Sequence, residues 1–241
     1  MSSIIKTAAS LACLATAVLA SPSNTGSTQV LPRQHETDCA PGLVFYSCAN
    51  GYRGCFAEDP CALPPVTAPA CPSGTNGSVW QPTMYNLYPS EPSKAAPAVS
   101  YLQVHMQGDE PHLEQAAVFR GIPSGAKTCT VNWAQADEAL RTFVVEHSGL
   151  IEVLPLTGFP AEGTPISSAS VAPFVPADAS GATHPDFTFW DQTKTAVTHT
   201  AGQIPCAEDI YVKLALDPTN GDGHVFMEQD AQNGFYITYT C

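Results

Sequence analysis

Ten short runs rich in β-branched and aromatic residues fill the chain from Ala98 to its end, each bounded by turn residues: SYLQVHM, AAVFRGI, CTVNWA, RTFVVEH, LIEVLPL, FTFW, AVTHT, DIYVKLAL, GHVFMEQ and FYITYT. Runs that recur in this way without long helical segments between them predict an all-β domain. In DIYVKLAL the period of two places Ile210, Val212, Leu214 and Leu216 on one face and Tyr211, Lys213 and Ala215 on the other. One face is then buried and the other partly wet. About 145 residues of such strands close a single two-sheet core, so the expected architecture for 98–241 is an antiparallel β-sandwich. Asp217 to Gly223 supplies turn residues between DIYVKLAL and GHVFMEQ, the clearest hairpin in the chain. Only Ala134 to Leu140, AQADEAL, has the composition of a helix.

What precedes the sandwich sets the compartment. Met1 to Lys6 is a short basic start, Thr7 to Leu19 is small and apolar, and Val18-Leu19-Ala20 suits signal peptidase, so residues 1–20 read as a signal peptide. The run is shorter than the roughly 20 apolar residues of a membrane span and breaks at Ser21-Pro22. Residues 21–38 are polar and aperiodic, a flexible segment or propeptide with Leu31-Pro32-Arg33 as a kexin-like cleavage sequence. Cys39, Cys48, Cys55, Cys61 and Cys71 then fall within 33 residues, a small disulfide-rich module over 39–71. Residues 72–97 are rich in Pro, Ser, Thr and Ala and read as a linker. Trp80, Tyr85, Leu87 and Tyr88 within it ask for an anchor on a neighbour. Asn76-Gly77-Ser78 there is an N-glycosylation sequon. The mature chain is expected to be secreted and extracellular, wall-associated or free.

Charge removes some partners. The full chain carries −13; without the leader, which holds Lys6 and no acid, 8 basic residues face 22 acidic ones, a net −14. Such an excess repels phosphate backbones and anionic membrane surfaces, so neither nucleic acid nor membrane is an expected partner.

Catalytic motifs are sparse. The histidines His35, His105, His112, His147, His184, His199 and His224 show no HExxH, HxH or Cys-His spacing. His105 and His112 flank Asp109, Glu110 and Glu114, which read as a solvated loop between strands. No metal and no cofactor is expected. Asp217 to Gly223 fails the calcium-loop pattern, because Asp222 stands where the glycine belongs. No GxSxG elbow is present. Two carboxylate pairs remain as candidate ligand-binding or glycan-hydrolysing groups: Asp186 with Asp191 beside Trp190, and Glu228 with Asp230. Trp80, Trp133 and Trp190 are either sugar-stacking platforms or core residues.

Two segments carry a family resemblance. Phe45 to Cys55, FYSCANGYRGC, followed by Asp59-Pro60-Cys61-Ala62-Leu63, resembles the Cys-rich N-terminal motif of many secreted fungal proteins. Pro123 to Cys129, Ile204-Pro205-Cys206 and the ending Gly234 to Cys241 resemble the C-terminal domain family named after a ubiquitin-activating-subunit (Uba three) binding protein. The resemblance spans about 180 residues and implies a fungal extracellular β-sandwich of unassigned function, with no catalytic residues to carry over. The leader contradicts the intracellular partner in the family name. Relatives of the first motif often have a Cys doublet where this chain has Cys55-Phe56, which leaves five cysteines in the module and three, Cys129, Cys206 and Cys241, in the sandwich. Two odd counts favour one disulfide crossing between modules, with two bonds inside the first and one inside the second, from Cys129 to either Cys206 or Cys241. The expected function is non-enzymatic binding at a cell wall or host surface, with a wall glycan or a host surface protein as partner. Its alternatives are a polysaccharide-binding or glycan-hydrolysing sandwich and a host-directed virulence effector.

Overall fold

A computed structural model of the chain describes residues 41–47, 53–62, 71–108 and 110–241. The signal peptide, the 21–38 segment, Cys39, Cys48 and Asp109 lie outside the described residues. In the cysteine-rich segment β1 (Val44–Ser47) and β2 (Arg53–Phe56) form an antiparallel pair, with Tyr46 edge-on to Phe56 at 6.4 Å. A 3-10 turn follows at Pro60–Ala62.

The remaining strands are β3 (Asn76–Trp80), β4 (Thr83–Leu87), β5 (Ala98–Val99), β6 (Tyr101–Gln107), β7 (Glu110–Arg120), β8 (Thr128–Gln135), β9 (Phe143–His147), β10 (Ile151–Pro155), β11 (Val197–Ile204), β12 (Asp209–Leu216), β13 (Gly223–Glu228) and β14 (Gly234–Thr240). All pairings are antiparallel, and the strands form a curled, sandwich-like fold. The larger sheet runs β10-β12-β7-β6-β13-β9, with β4 on β7 and β5 on β4. The smaller runs β11-β8-β14-β3. The long β7 bends the larger sheet: residues 115–118 pair with both β12 and β4, while residues 110–113 pair with β6.

Alternation along the strands builds the core. Leu102, Val104 and Met106 of β6, Val225 and Met227 of β13, and Val212 and Leu214 of β12 meet Val131, Trp133, Phe235 and Ile237 of the smaller sheet in one buried cluster. Each buried side chain of this size contributes about 1.5–3 kcal/mol from apolar transfer. Phe187 fills the centre, stacked on Trp133 at 4.1 Å and edge-on to Phe143 and Phe235.

The outer surface of the larger sheet near β4, β7 and β12 is covered by the excursion from residue 156 to residue 185. Phe159 stacks on Tyr211 at 5.1 Å and lies against Tyr85, and Leu156, Phe159 and Ile166 pack on Leu87, Ala116 and Val171. The one α-helix among the described residues, α1 (Ser168–Val171), sits in this excursion behind a Ser167/Ser170 capping box. Its Ala169 N–H donates to Pro92 O, and Leu156 N–H donates to Tyr211 O of β12, which ties the excursion to the chain beneath it.

Cys129 is bonded to Cys206 inside the sandwich, and Cys71 to Cys241, which joins the cysteine-rich segment to the last residue. This is the crossing bond that the two odd counts call for. Cys55 and Cys61 are disulfide-bonded as well. Among the described residues no helix is long and apolar enough to cross a membrane.

Four expectations change. Residues 72–97 are not a spacer: β3 pairs with β14 and β4 with β7, because NGSVW and TMYNL are strand sequences inside a Pro-rich frame. DIYVKLAL and GHVFMEQ are antiparallel but are not a hairpin, since β7 and β6 lie between β12 and β13. AQADEAL is not a helix; its first two residues end the central strand β8, held by partners on both sides, and only Glu138–Leu140 forms a 3-10 turn. FTFW is not a strand, because Phe187 enters the core while Phe189 takes φ 68° and is 71 % exposed, opening a 3-10 turn at Trp190–Gln192.

Candidate functional site

The four carboxylates singled out in the sequence are occupied by local structure. Asp186 accepts the Thr188 N–H at 2.8 Å and lines an open polar cleft of about 790 Å³ with His147, Ser148, Asn220 and Asp222. Asp191 is not part of that cleft; its Oδ2 accepts the Val145 N–H at 3.3 Å, tying the Trp190–Gln192 turn to β9. Glu228 takes the Thr142 hydroxyl at 2.8 Å. Asp230 accepts from Gln232 N–H, Asn233 N–H and the Asn233 amide, and so shapes the turn into β14. Neither sequence pair converges on a common open site.

Trp133 is a core residue, and the partly buried Trp190 packs against that core. Trp133 is 1 % exposed, and Trp190 lies edge-on to Trp133 and His199 at 6.2 and 4.1 Å. His199 in turn stacks flat on Trp133 at 3.9 Å, and burial there pushes its pKa below the usual histidine value.

Trp80 is different. It ends β3, at the edge of the smaller sheet, and stacks parallel on Tyr236 at 3.9 Å with 4° between the planes. Register places Trp80, Tyr236, Asn132 and Thr200 in one row across all four strands. Because side chains alternate, this row faces away from the core that Val131, Trp133, Phe235 and Ile237 enter on the same strands. Asn132 binds the row together: its Nδ2 donates to Thr130 O at 2.9 Å and Thr238 Oγ1 at 3.0 Å, and its Oδ1 accepts from the Thr200 hydroxyl at 3.1 Å. The neighbouring outward rows are Ser78-Thr238-Thr130-Gln203 and Gly234-Ala134-Thr198.

A groove of about 390 Å³ opens at this end of the face. Trp80 and Leu140 are among its walls, Ala134 and Thr198 are small residues within it, and Asp137 and Gln232 supply polar groups. Leu140 is 58 % exposed, an apolar side chain presented to solvent at the rim. Gln135 also lines the groove; it is 1 % exposed, and among the described residues neither of its amide atoms has a hydrogen-bond partner. Asn76 of the sequon is exposed at the start of β3, at the other end of the same edge strand.

The His105 and His112 region also differs from the solvated loop read from sequence. His105 lies on β6 and His112 on β7, with ring centroids 5.4 Å apart, and His224 of β13 lies on the other strand beside β6, 5.6 Å from His105. Among the described residues no group of three or more His, Cys, Asp or Glu is arranged to hold a metal ion.

The strands form an antiparallel, sandwich-like fold in which the Trp80–Tyr236 stack borders a groove on the outer side of the smaller sheet. No family model, curated protein or solved structure matches the chain. The functional reading therefore rests on the geometry.

Proposed function

We propose that this protein is a non-enzymatic binding protein of the extracellular space that holds a neutral polysaccharide on the open face of its smaller sheet. The observation that carries the reading is the Trp80–Tyr236 stack set beside the Leu140-rimmed groove and in line with Asn132 and Thr200. A partly exposed indole at a groove wall is the kind of surface that meets the C–H face of a sugar ring, and small residues in the groove let the ring approach. Threonine, serine and amide side chains along the neighbouring rows match the hydroxyls of successive sugars. The net charge of −13 favours a neutral glycan over an acidic one. Two disulfides fit an oxidising compartment. Hydrolysis is disfavoured because Asp186, Asp191 and Asp230 each hold a turn or a neighbouring strand.

A glycan array combined with a cell-wall pull-down tests this. The unmodified protein is expected to bind a neutral glycan, and Trp80→Ala to weaken it about tenfold, the equivalent of 1.4 kcal/mol at an aromatic contact. Trp190→Ala is expected to lower stability and leave affinity unchanged. Binding to no glycan and no wall fraction would overturn the reading in favour of a host surface protein as partner. Full affinity in Trp80→Ala would remove the site from this face.

A further inference from the structure

Three histidines stand side by side on the outer face of the larger sheet, well away in sequence from the Trp80 groove. His105, His224 and Glu146 share one row: register pairs His224 with His105 on one side and with Glu146 of β9 on the other. His112 adjoins His105 from β7. The inward residues of these strands, Val104, Met106 and Val225, are buried, so the imidazoles project outward and remain partly exposed.

Two contacts orient His224. Its Nδ1 lies 3.4 Å from Glu146 Oε2, and its Nε2 lies 3.2 Å from the Gln103 side-chain nitrogen. A side-chain amide nitrogen only donates, so in this contact His224 Nε2 is the acceptor, while Nδ1 faces the carboxylate. A carboxylate holding one imidazole nitrogen while the other presents its lone pair is the arrangement that orients a metal-binding histidine. Two imidazoles bound to one ion at about 2.0–2.1 Å place their ring centroids roughly 5 to 6 Å apart. His105 and His224 are 5.6 Å apart.

We propose that His105 and His224 form a two-imidazole surface site for a late first-row divalent cation, copper(II) above nickel(II) and zinc(II), with Glu146 as the positioning residue. Gln103 occupies the His224 lone pair in the metal-free protein and rotates off it when the ion binds. Solvent completes the coordination, because the row is exposed on its outer side. Imidazole suits these ions, and the order of affinities follows their general ranking. Protons compete for the same nitrogens, so affinity falls as pH drops through the imidazole range.

The test is titration of the full chain with copper(II), nickel(II) and zinc(II) chlorides, read by calorimetry and, for copper, by electron paramagnetic resonance. One copper site showing two equatorial imidazole nitrogens is expected, tighter than the nickel and zinc sites and weaker at pH 5.5 than at pH 7.5. The variant H105A/H224A is expected to lose it, with its urea midpoint recorded to show that the sandwich is intact. Glu146→Gln keeps both imidazoles and is expected to weaken binding about 10–100-fold. In the unmodified protein, paramagnetic broadening of histidine ring protons is expected first at His105 and His224, a readout that needs no variant to fold. Broadening elsewhere first, or an unchanged copper site in H105A/H224A, would overturn the proposal. An unchanged affinity in Glu146→Gln would overturn the role of Glu146.

Discussion

Removing the Cys71–Cys241 bond by C71A/C241A isolates what covalent closure contributes to this sandwich. The two residues are 170 positions apart, but the Cys129–Cys206 bond shortens the closed path. The shorter route, from Cys71 to Cys129 and on from Cys206 to Cys241, is about 95 residues, for which the chain-entropy relation gives about 4.7 kcal/mol. The path closed by Cys129–Cys206 is about 78 residues, worth about 4.5 kcal/mol on the same relation. Entropy alone makes the two bonds equal, so their difference reports packing. Cys129 is 1 % exposed within the main core, whereas Cys71 and Cys241 are only partly buried at the chain's last turn. Alanine at 129 and 206 removes buried sulfur as well as the cross-link, and C129A/C206A is expected to be the more destabilised variant by about 1–2 kcal/mol. Urea unfolding under non-reducing conditions measures both. C71A/C241A should lose about 3–5 kcal/mol with a larger m-value, because its denatured state is less constrained. A loss below 1 kcal/mol, or an m-value unchanged from the parent, would refute closure entropy as the source of its stabilisation.

Acid should weaken the fold in a defined window. His105 and His199 both have pKa values lowered by burial, His105 also by its histidine neighbours, so the unfolded chain takes up protons near the ordinary value of 6.5 before the folded chain does. Their contribution is complete above that value and is lost as pH falls through it towards the folded pKa values; urea midpoints that hold constant or rise from pH 7 to pH 5 would contradict this. Asp217, held below the usual carboxylate value first by its hydrogen bonds to Thr219, acts in the same sense but only as pH falls below about 3.8, outside that window. Two glycines separate space from conformation. A Cβ at Gly223 would collide with the Ser148 backbone carbonyl, and at Gly163 it would meet nothing although φ is +78°. Gly223→Ala is therefore expected to cost about 3 kcal/mol and Gly163→Ala about 1 kcal/mol in the same unfolding assay; equal losses would show that the loop beside β13 yields freely.

The strands were legible where the period of two is carried by large residues. DIYVKLAL shows it well: Ile210, Val212, Leu214 and Leu216 are all buried, and Tyr211 and Lys213 are half-buried. Pairing was not legible, because the turn chemistry of Asp217 to Gly223 reports a reversal and not its span. Asp217 caps Thr219, and Asp222 reaches across to accept the Gly108 N–H at 2.6 Å, which holds a connection over two intervening strands. AQADEAL failed for a related reason: helix propensity is worth tenths of a kcal/mol per residue, less than the ladder partners that β11 and β14 supply to Ala134 and Gln135.

Trp80 was hidden by composition. Averaged over 72–97, proline and serine dominate, yet Asn76–Trp80 needs only five residues to become an edge strand, and its value lies in partners 52 to 156 positions away. Nothing local distinguishes Trp80 from Trp190, which stands beside two acids and looked the better sugar platform. The difference is made by what covers each tryptophan. Aromatic side chains on the outer face of the larger sheet, Tyr85 and Tyr211, lie beneath Phe159 of the 156–185 excursion. Trp190 closes over Trp133 and His199. On the smaller sheet the outward rows carry threonine, serine, asparagine, glutamine, alanine and glycine around Trp80 and Tyr236, with Ser78, Thr198, Thr200 and Gln203 exposed and Asn132 and Ala134 buried. Trp80, stacked on Tyr236, lines the groove of about 390 Å³ and Trp190 does not, and that contrast makes Trp80 the first residue to mutate.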